Sequence, residues 1–433
     1  MTAYWCERAW LPTGPAPAVL LDVDGDRITA VRPGAEPGFA TRLTGLVVPG
    51  AANAHSHAFH RALRGAGGPG TFWTWRDRMY RLARRLDPDR YHRLARAAYA
   101  EMLLAGYTAV GEFHYVHHAP GGTRYADPNA MGEALLHAAR DAGIRCTLLD
   151  TCYLAGGFGT PLDEPQLRFS DGDAHAWAER VDALRPGPGQ RIGAAVHSVR
   201  AVPAEQIPHV VDWARHRGAP LHAHLSEQPA ENTACRAAHG TTPTGLLAAR
   251  GALDAEFTAV HATHLTDEDV TALGGAGVCL CPTTEADLAD GIGPAGALAA
   301  AGATLSIGSD GHSAVDPWAE AQAVEAGQRL ATGRRGHFTP AALLGMATAA
   351  GHRALGMPGG ALAPGAPADL VALDLGSARL AGVELTDVPA VARAADVRDV
   401  VVGGEHVVRD RAHRTIDVPA ALRSAIDDLR EDP

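Results

Sequence analysis

From about Gly50 to Gly351 the chain alternates short, β-rich apolar runs with Ala-, Leu- and Arg-rich helical segments, and this alternation restricts its fold more than any other feature. The runs fall at 46–49, 108–115, 145–154, 191–199, 220–226, 257–263, 278–282 and 304–309, most of them separated by a helical pattern such as 89–105 or 203–217. Eight such units predict an α/β fold, a parallel (β/α)8 TIM barrel over residues 46–354, in which active-site groups gather at the C-terminal ends of the strands. The flanks read differently. Residues 3–11, 19–24 and 27–32 are short β runs broken by Gly-Asp and Pro-Gly, and the stretches 369–374 and 400–408 repeat that style. Both chain ends, 1–45 and 355–433, are therefore expected to pair into one small β-sandwich domain beside the barrel, with a helix near 418–430.

The residues that carry chemistry sit at the expected strand ends. His55 and His57 are two apart at the first, so strand alternation points both imidazoles the same way, a spacing suited to zinc or a similar divalent ion. The second run carries Glu112 to Tyr115, the fourth His197, the fifth His222, His224 and Glu227, and the sixth His261, while Asp310 follows the eighth. A hydrolytic metal needs protein ligands that leave one position open for water. His55, His57, one of His222 and His224, and Asp310 supply such a set. Parity does not choose between His222 and His224. His224 is favoured because Glu227, three residues on, would flank the same ion, which leaves His222 deeper as a packing or supporting group. Glu227 fits a proton shuttle between the attacking water and a leaving amine, His261 fits an oxyanion stabiliser, and Asp310 reads as both a ligand and a base toward the water.

Composition narrows the setting. A formal charge of −11 spread along 433 residues argues against a nucleic-acid partner. Six cysteines without a CxxC pair read as reduced, buried thiols of a cytoplasmic protein. The first residues lack a signal-peptide pattern, and no apolar stretch reaches membrane length, so neither secretion nor membrane insertion is expected. All 38 basic residues are Arg; the chain contains no Lys.

His-Ser-His after the first strand, His-x-x-Glu on the fifth, His on the sixth and Ser-Asp on the eighth resemble the amidohydrolase superfamily, and the β-sandwich flanks match it too. Many members bridge two metals with a carbamylated lysine. Without lysine, this chain resembles the mononuclear deaminase branch, which implies one divalent metal per chain, Zn2+ foremost with Fe2+ or Mn2+ as alternatives. Within that branch, Asn53-Ala54-His55-Ser56-His57-Ala58-Phe59, Phe72-Trp73-Thr74-Trp75-Arg76, Met79-Tyr80-Arg81, Gly111-Glu112-Phe113-His114-Tyr115, Cys281-Pro282-Thr283-Thr284-Glu285-Ala286 and Gly308-Ser309-Asp310 resemble the formimidoylglutamate deiminases.

That resemblance implies hydrolytic deimination of N-formimino-L-glutamate to N-formyl-L-glutamate and ammonia in histidine degradation, by a homodimer. It also implies a small dicarboxylate amidine substrate whose carboxylates are held by Arg81 and Arg200, with Tyr115 and His197 beside them. Two departures stand out: His60 occupies a position where the family often has a substrate-contacting Gln, and Gly311 one where it often has Ser. His60 is expected to keep a hydrogen bond to substrate or to alter selectivity and pH response. The alternative is a deaminase of another amidine, guanidino or heterocyclic substrate, purine- or pterin-like, within the same superfamily.

Overall fold

The computed structural model describes residues 2–66, 70–253 and 256–430. One of its two eight-stranded sheets is all parallel: β1 (Ala51–Ser56), β2 (Tyr107–His114), β3 (Arg145–Cys152), β4 (Gln190–Val196), β5 (Leu221–Leu225), β6 (Phe257–His261), β7 (Gly277–Leu280) and β8 (Thr304–Ile307). Neighbours in sequence are neighbours in the sheet. A parallel bridge between Ser56 and Asp310 closes the barrel. Across this seam the Asp310 N–H donates to the His55 carbonyl at 3.0 Å, and the His57 N–H donates to the Asp310 carbonyl at 3.3 Å. The seam is tight: a Cβ on Gly308 would lie 2.8 Å from both the Cβ and the carbonyl oxygen of His55, so only glycine fits. Asn53 clamps it from below, donating to Ser309 Oγ at 2.7 Å and accepting from the Ser309 N–H at 2.9 Å.

The barrel strands are buried on both faces, as a parallel sheet covered by helices requires; every residue of β2 is buried. Local chemistry sets the helix limits. The helix Pro88–Ala105 begins with Asp87 accepting from the Arg90 N–H and proline at its first position, and ends at Gly106 with φ 98°.

The expected first barrel run, 46–49, is instead the end of a longer strand, Thr41–Pro49, in the second sheet. The barrel starts only after Gly50, where a Cβ would collide with Thr108 Oγ1 at 2.1 Å. Two buried strands in succession read as one apolar run, and periodicity alone does not separate them.

The second sheet draws on both chain ends. Its strands run in the order 412–413, 405–409, 397–402, 370–373, 41–49, 2–11, 14–24 and 27–32. It is one hydrogen-bonded sheet folded over its own core: Arg27 bridges Pro367, and Tyr4 Oη donates to the Gly404 carbonyl at 2.9 Å. Tyr4, Leu21, Ile28, Leu43, Leu370 and Val401 form a single apolar cluster inside the fold-over. The helix Val418–Asp427 then packs against Pro88–Ala105 on the barrel. Among the described residues, no helix is long and apolar enough to cross a membrane.

Candidate metal centre and active site

The seam that closes the barrel also assembles the site. His55 lies on β1 and His57 just beyond it, Asp310 faces them from the end of β8, and His224 comes from β5. All four are buried, and one ligand atom from each lies within 4.8 Å of the others. Asp310 Oδ1 is 3.3 Å from His55 Nε2 and 3.4 Å from His57 Nε2, while His224 Nε2 is 3.2 Å from His55 Nε2. Backbone carbonyls orient two of the rings: Phe113 accepts from His57 Nδ1 at 2.9 Å and His197 accepts from His224 Nδ1 at 2.8 Å. Those bonds leave the Nε2 lone pairs facing the centre. His222 points elsewhere, donating from Nε2 to the Ala354 carbonyl at 2.7 Å.

Burial holds the pKa of His55 below the ordinary imidazole value, and those of His57 and His224 well below it, so burial disfavours charge on all three rings. Burial alone would raise Asp310, but His55, His261 and His57 outweigh it and keep the carboxylate ionised. Three imidazoles and one carboxylate, converging from three strands, suit a divalent metal with an open coordination position.

Glu227 and His261 stand beside this centre. His261 Nε2 lies 3.8 Å from both Glu227 Oε1 and Asp310 Oδ2. Burial raises the pKa of Glu227. Burial opposes charge on His261 as well, but Glu227, Glu285 and Asp310 around it more than compensate and raise its pKa well above that of free imidazole. Backbone strain collects on the same rim: Ser226, His261, Ala262, Asp310 and His312 all have positive φ, between 38° and 69°. Non-glycine residues seldom adopt that region outside sites where the surrounding structure imposes it.

A cleft opens above the centre. Its wall includes His60, Tyr115, His197 and Arg200, all four expected there from sequence. His60 Nε2 is 3.3 Å from Tyr115 Oη, and burial lowers the His60 pKa to about 3. The His197 ring packs against Tyr153 with centroids 4.5 Å apart. Gly311 carries no side chain into the cleft, and its N–H donates to Thr284 Oγ1 at 3.0 Å.

Arg81 is the exception. Its side chain is exposed and forms no part of the cleft wall, where Arg76 stands in its place. Both lie on the helix Phe72–Ala83. Five positions along a helix amount to a rotation of roughly 140°, which carries Arg81 off the face that Trp75, Arg76, Met79 and Tyr80 present to the cleft. That stripe, spaced one, four and five residues apart, was the sequence signal for Arg76. The Arg76 guanidinium lies 4.6 Å from the Trp73 ring and 5.5 Å from the Tyr80 ring. Sequence reasoning also assigned no role to Glu231, which sits buried on the helix Pro229–His239 with Oε2 3.8 Å from Arg200 Nε.

The profile of the amidohydrolase family matches residues 46–407. The chain belongs to the amidohydrolase family. Within it, this amidohydrolase is 42% identical to the formimidoylglutamate deiminase of Pseudomonas aeruginosa, over 95% of this chain and 96% of that one. It is 29% identical to a 5-methylthioadenosine/S-adenosylhomocysteine deaminase of Natronomonas pharaonis, over 88% of this chain and 85% of that one. Among solved structures, the crystal structure of an amidohydrolase from Brucella melitensis superimposes with a TM-score of 0.91 at 34% identity, covering 99% of this amidohydrolase and all of the other chain.

Proposed function

We propose that this chain hydrolyses N-formimino-L-glutamate to N-formyl-L-glutamate and ammonia, cleaving a C–N bond of a linear amidine. The observation that carries the reading is the pair of guanidiniums, Arg76 and Arg200, in one cleft wall with Glu227 and His261. Two cations suit a substrate with two carboxylates, because guanidinium binds carboxylate in a bidentate, geometrically specific way. The 42% identity to a formimidoylglutamate deiminase supports the same substrate.

His55, His57, His224 and Asp310 are the proposed ligands of one divalent metal, with zinc foremost. Held there, the metal supplies Lewis acidity that makes water acidic near neutral pH. The chain's own residues do the rest. Asp310 orients the attacking water toward the formimino carbon. Glu227 takes its proton and delivers it to the leaving nitrogen, while His261 stabilises the oxygen as negative charge develops on it. The added hydroxyl then gives its remaining proton to Asp310, which passes it to the same nitrogen; the carbon–nitrogen bond breaks, a carbonyl forms, and ammonia departs. Tyr115, His197 and His60 line the substrate's flank. The further reading is of a cytoplasmic homodimer acting in histidine degradation, supported by six free, buried thiols for the compartment and by family resemblance for the assembly.

The test is ammonia release by purified, zinc-loaded protein supplied with N-formimino-L-glutamate, with the product identified by mass. Release together with N-formylglutamate is expected. No release from protein carrying its metal would keep the hydrolase and redirect the search to other amidines or to heterocyclic amines.

A further inference from the structure

The segment Cys281-Pro282-Thr283-Thr284-Glu285-Ala286 follows β7 directly and contributes no group to the chemistry above. Its Glu285 is nevertheless buried, with a side chain only 6% exposed. Two donors meet its Oε1. The Cys281 N–H donates to it at 2.9 Å, which anchors the carboxylate to the first turn of the helix Pro282–Asp287. On the other side His261 Nδ1 lies 3.4 Å away.

The His261 ring is therefore held between Glu285 at Nδ1 and the pair Glu227 and Asp310 at Nε2. Its backbone is committed to the same end. His261 and Ala262 have φ of 69° and 52°, a left-handed excursion by two successive non-glycine residues that turns β6 into its loop. Non-glycine residues hold such a conformation only where the surrounding structure imposes it. A neutral imidazole carries its proton on either nitrogen, and the partner of one nitrogen decides what the other can do.

We infer that Glu285 is a positioning residue for His261: by accepting the Nδ1 proton it fixes the ring's orientation and makes Nε2 the nitrogen turned toward Glu227 and the reacting carbon. The inference rests on the deimination reading for the role of His261 and adds a residue to it. Glu285 never touches substrate. It acts through one ring and one backbone N–H, and both are donors.

That distinction gives the experiment its shape. A glutamine keeps a carbonyl oxygen able to accept from both donors, whereas alanine removes the acceptor. Glu285→Ala should lower kcat about 10- to 100-fold with KM within about threefold, the range typical of lost outer-shell support, and Glu285→Gln should recover most of that kcat. Equal losses in the two variants, or a wild-type kcat in Glu285→Ala, would overturn the inference. A second measurement needs no variant that might misfold and no substrate. In zinc-loaded wild-type protein labelled with 15N-histidine and taken to a pH at which the His261 ring is neutral, its one remaining proton should sit on Nδ1, and a bare Nδ1 would overturn the inference. Failure of the wild type to release ammonia from N-formimino-L-glutamate would instead strike at the substrate assignment, leaving the imidazole result to stand by itself.

Discussion

At the scale of single residues, Glu227 and Arg76 carry opposite duties and separate cleanly by kinetics. Glu227→Gln keeps size and hydrogen bonding but cannot exchange a proton, so kcat should fall by about two to four orders of magnitude. Bound metal should be unchanged, because Glu227 is outside the donor set. Metal analysis beside steady-state kinetics checks both, and near-normal turnover would remove the shuttle role. Arg76→Met should act on binding. Losing one charge-assisted contact to a carboxylate costs about 1.5–3 kcal/mol, which corresponds to KM rising roughly 10- to 100-fold for a dicarboxylate substrate. Arg81→Met, on the exposed face of the same helix, should leave KM near the wild-type value. The comparison matters because both arginines lie in family-like words and only helix geometry tells them apart. The convergence of His55, His57, His224 and Asp310 was readable from sequence because strand ends are local features and because Glu227, three residues on, favoured His224 over His222, which parity leaves open. Glu285 was not, since it lies on a helix and its partner His261 ends a strand 24 residues away, and no spacing rule links them.

At the scale of elements, the ends of β2 and β3 pose a question that sequence could not settle. His114, His117 and Asp150 lie close enough together to hold a metal. Arg180, from the helix Ala174–Val181, already holds the Asp150 carboxylate of that cluster. It donates to Asp150 at 2.7 and 3.0 Å and to Asp171 at 3.0 Å, while His118 Nε2 meets Asp171 at 3.0 Å. Both His117 nitrogens are engaged too, one by His114 and one by the Thr151 carbonyl. A guanidinium inside two carboxylates leaves no place for a second cation, so this network joins elements and is not a metal site. Its residues are 30 and 9 positions apart, and only folding brings them together. The long apolar run around Gly50 was illegible for a related reason, since both strands it contains are buried and share one hydrophobic signature. Arg180→Met would strand two buried carboxylates and should destabilise the protein by about 3–5 kcal/mol at pH 7, measured by denaturant unfolding. The sign with pH follows from the carboxyls. Burial opposes their charge, but Arg180 outweighs it and holds Asp150 and Asp171 below their ordinary values. The network therefore contributes fully above the unfolded carboxyl pKa of about 3.9 and is lost as pH falls through the lower folded values. The gap between wild type and Arg180→Met should begin to narrow below about pH 4 and close as pH falls through the lower folded values of Asp150 and Asp171. A gap that persists there would show that packing, and not charge, holds the elements together.

At the scale of the whole molecule, barrel closure is what assembles the proposed metal ligands. The four proposed ligands lie on β1, β5 and the segment after β8, and two of them exchange backbone hydrogen bonds across the closing seam. A ligand set dispersed over more than 250 residues is assembled only in the folded barrel, so the metal binds the native state and stabilises it by mass action. Composition restricts that metal further. A centre with two ions bridged by carbamylated lysine requires a lysine and carbon dioxide, and this chain has no lysine. Of the other two groups with metal-like spacing, the one at His114, His117 and Asp150 has its carboxylate held by Arg180, and the one at His261 and Cys281 shares Asp310 with the proposed centre. The fully loaded protein should therefore carry about one divalent ion per chain, with activity indifferent to bicarbonate and to carbon-dioxide-free buffer. Stripping the ion with a chelator should abolish turnover and lower the melting temperature without unfolding the protein at room temperature, because the barrel and the folded-over sheet each keep their own apolar core. Elemental analysis, a melting curve and a rate with and without bicarbonate decide the matter together. Two ions per chain, or activity that returns only with bicarbonate, would mean that some group other than lysine bridges a second metal, and the single-ion arrangement of His55, His57, His224 and Asp310 would fall.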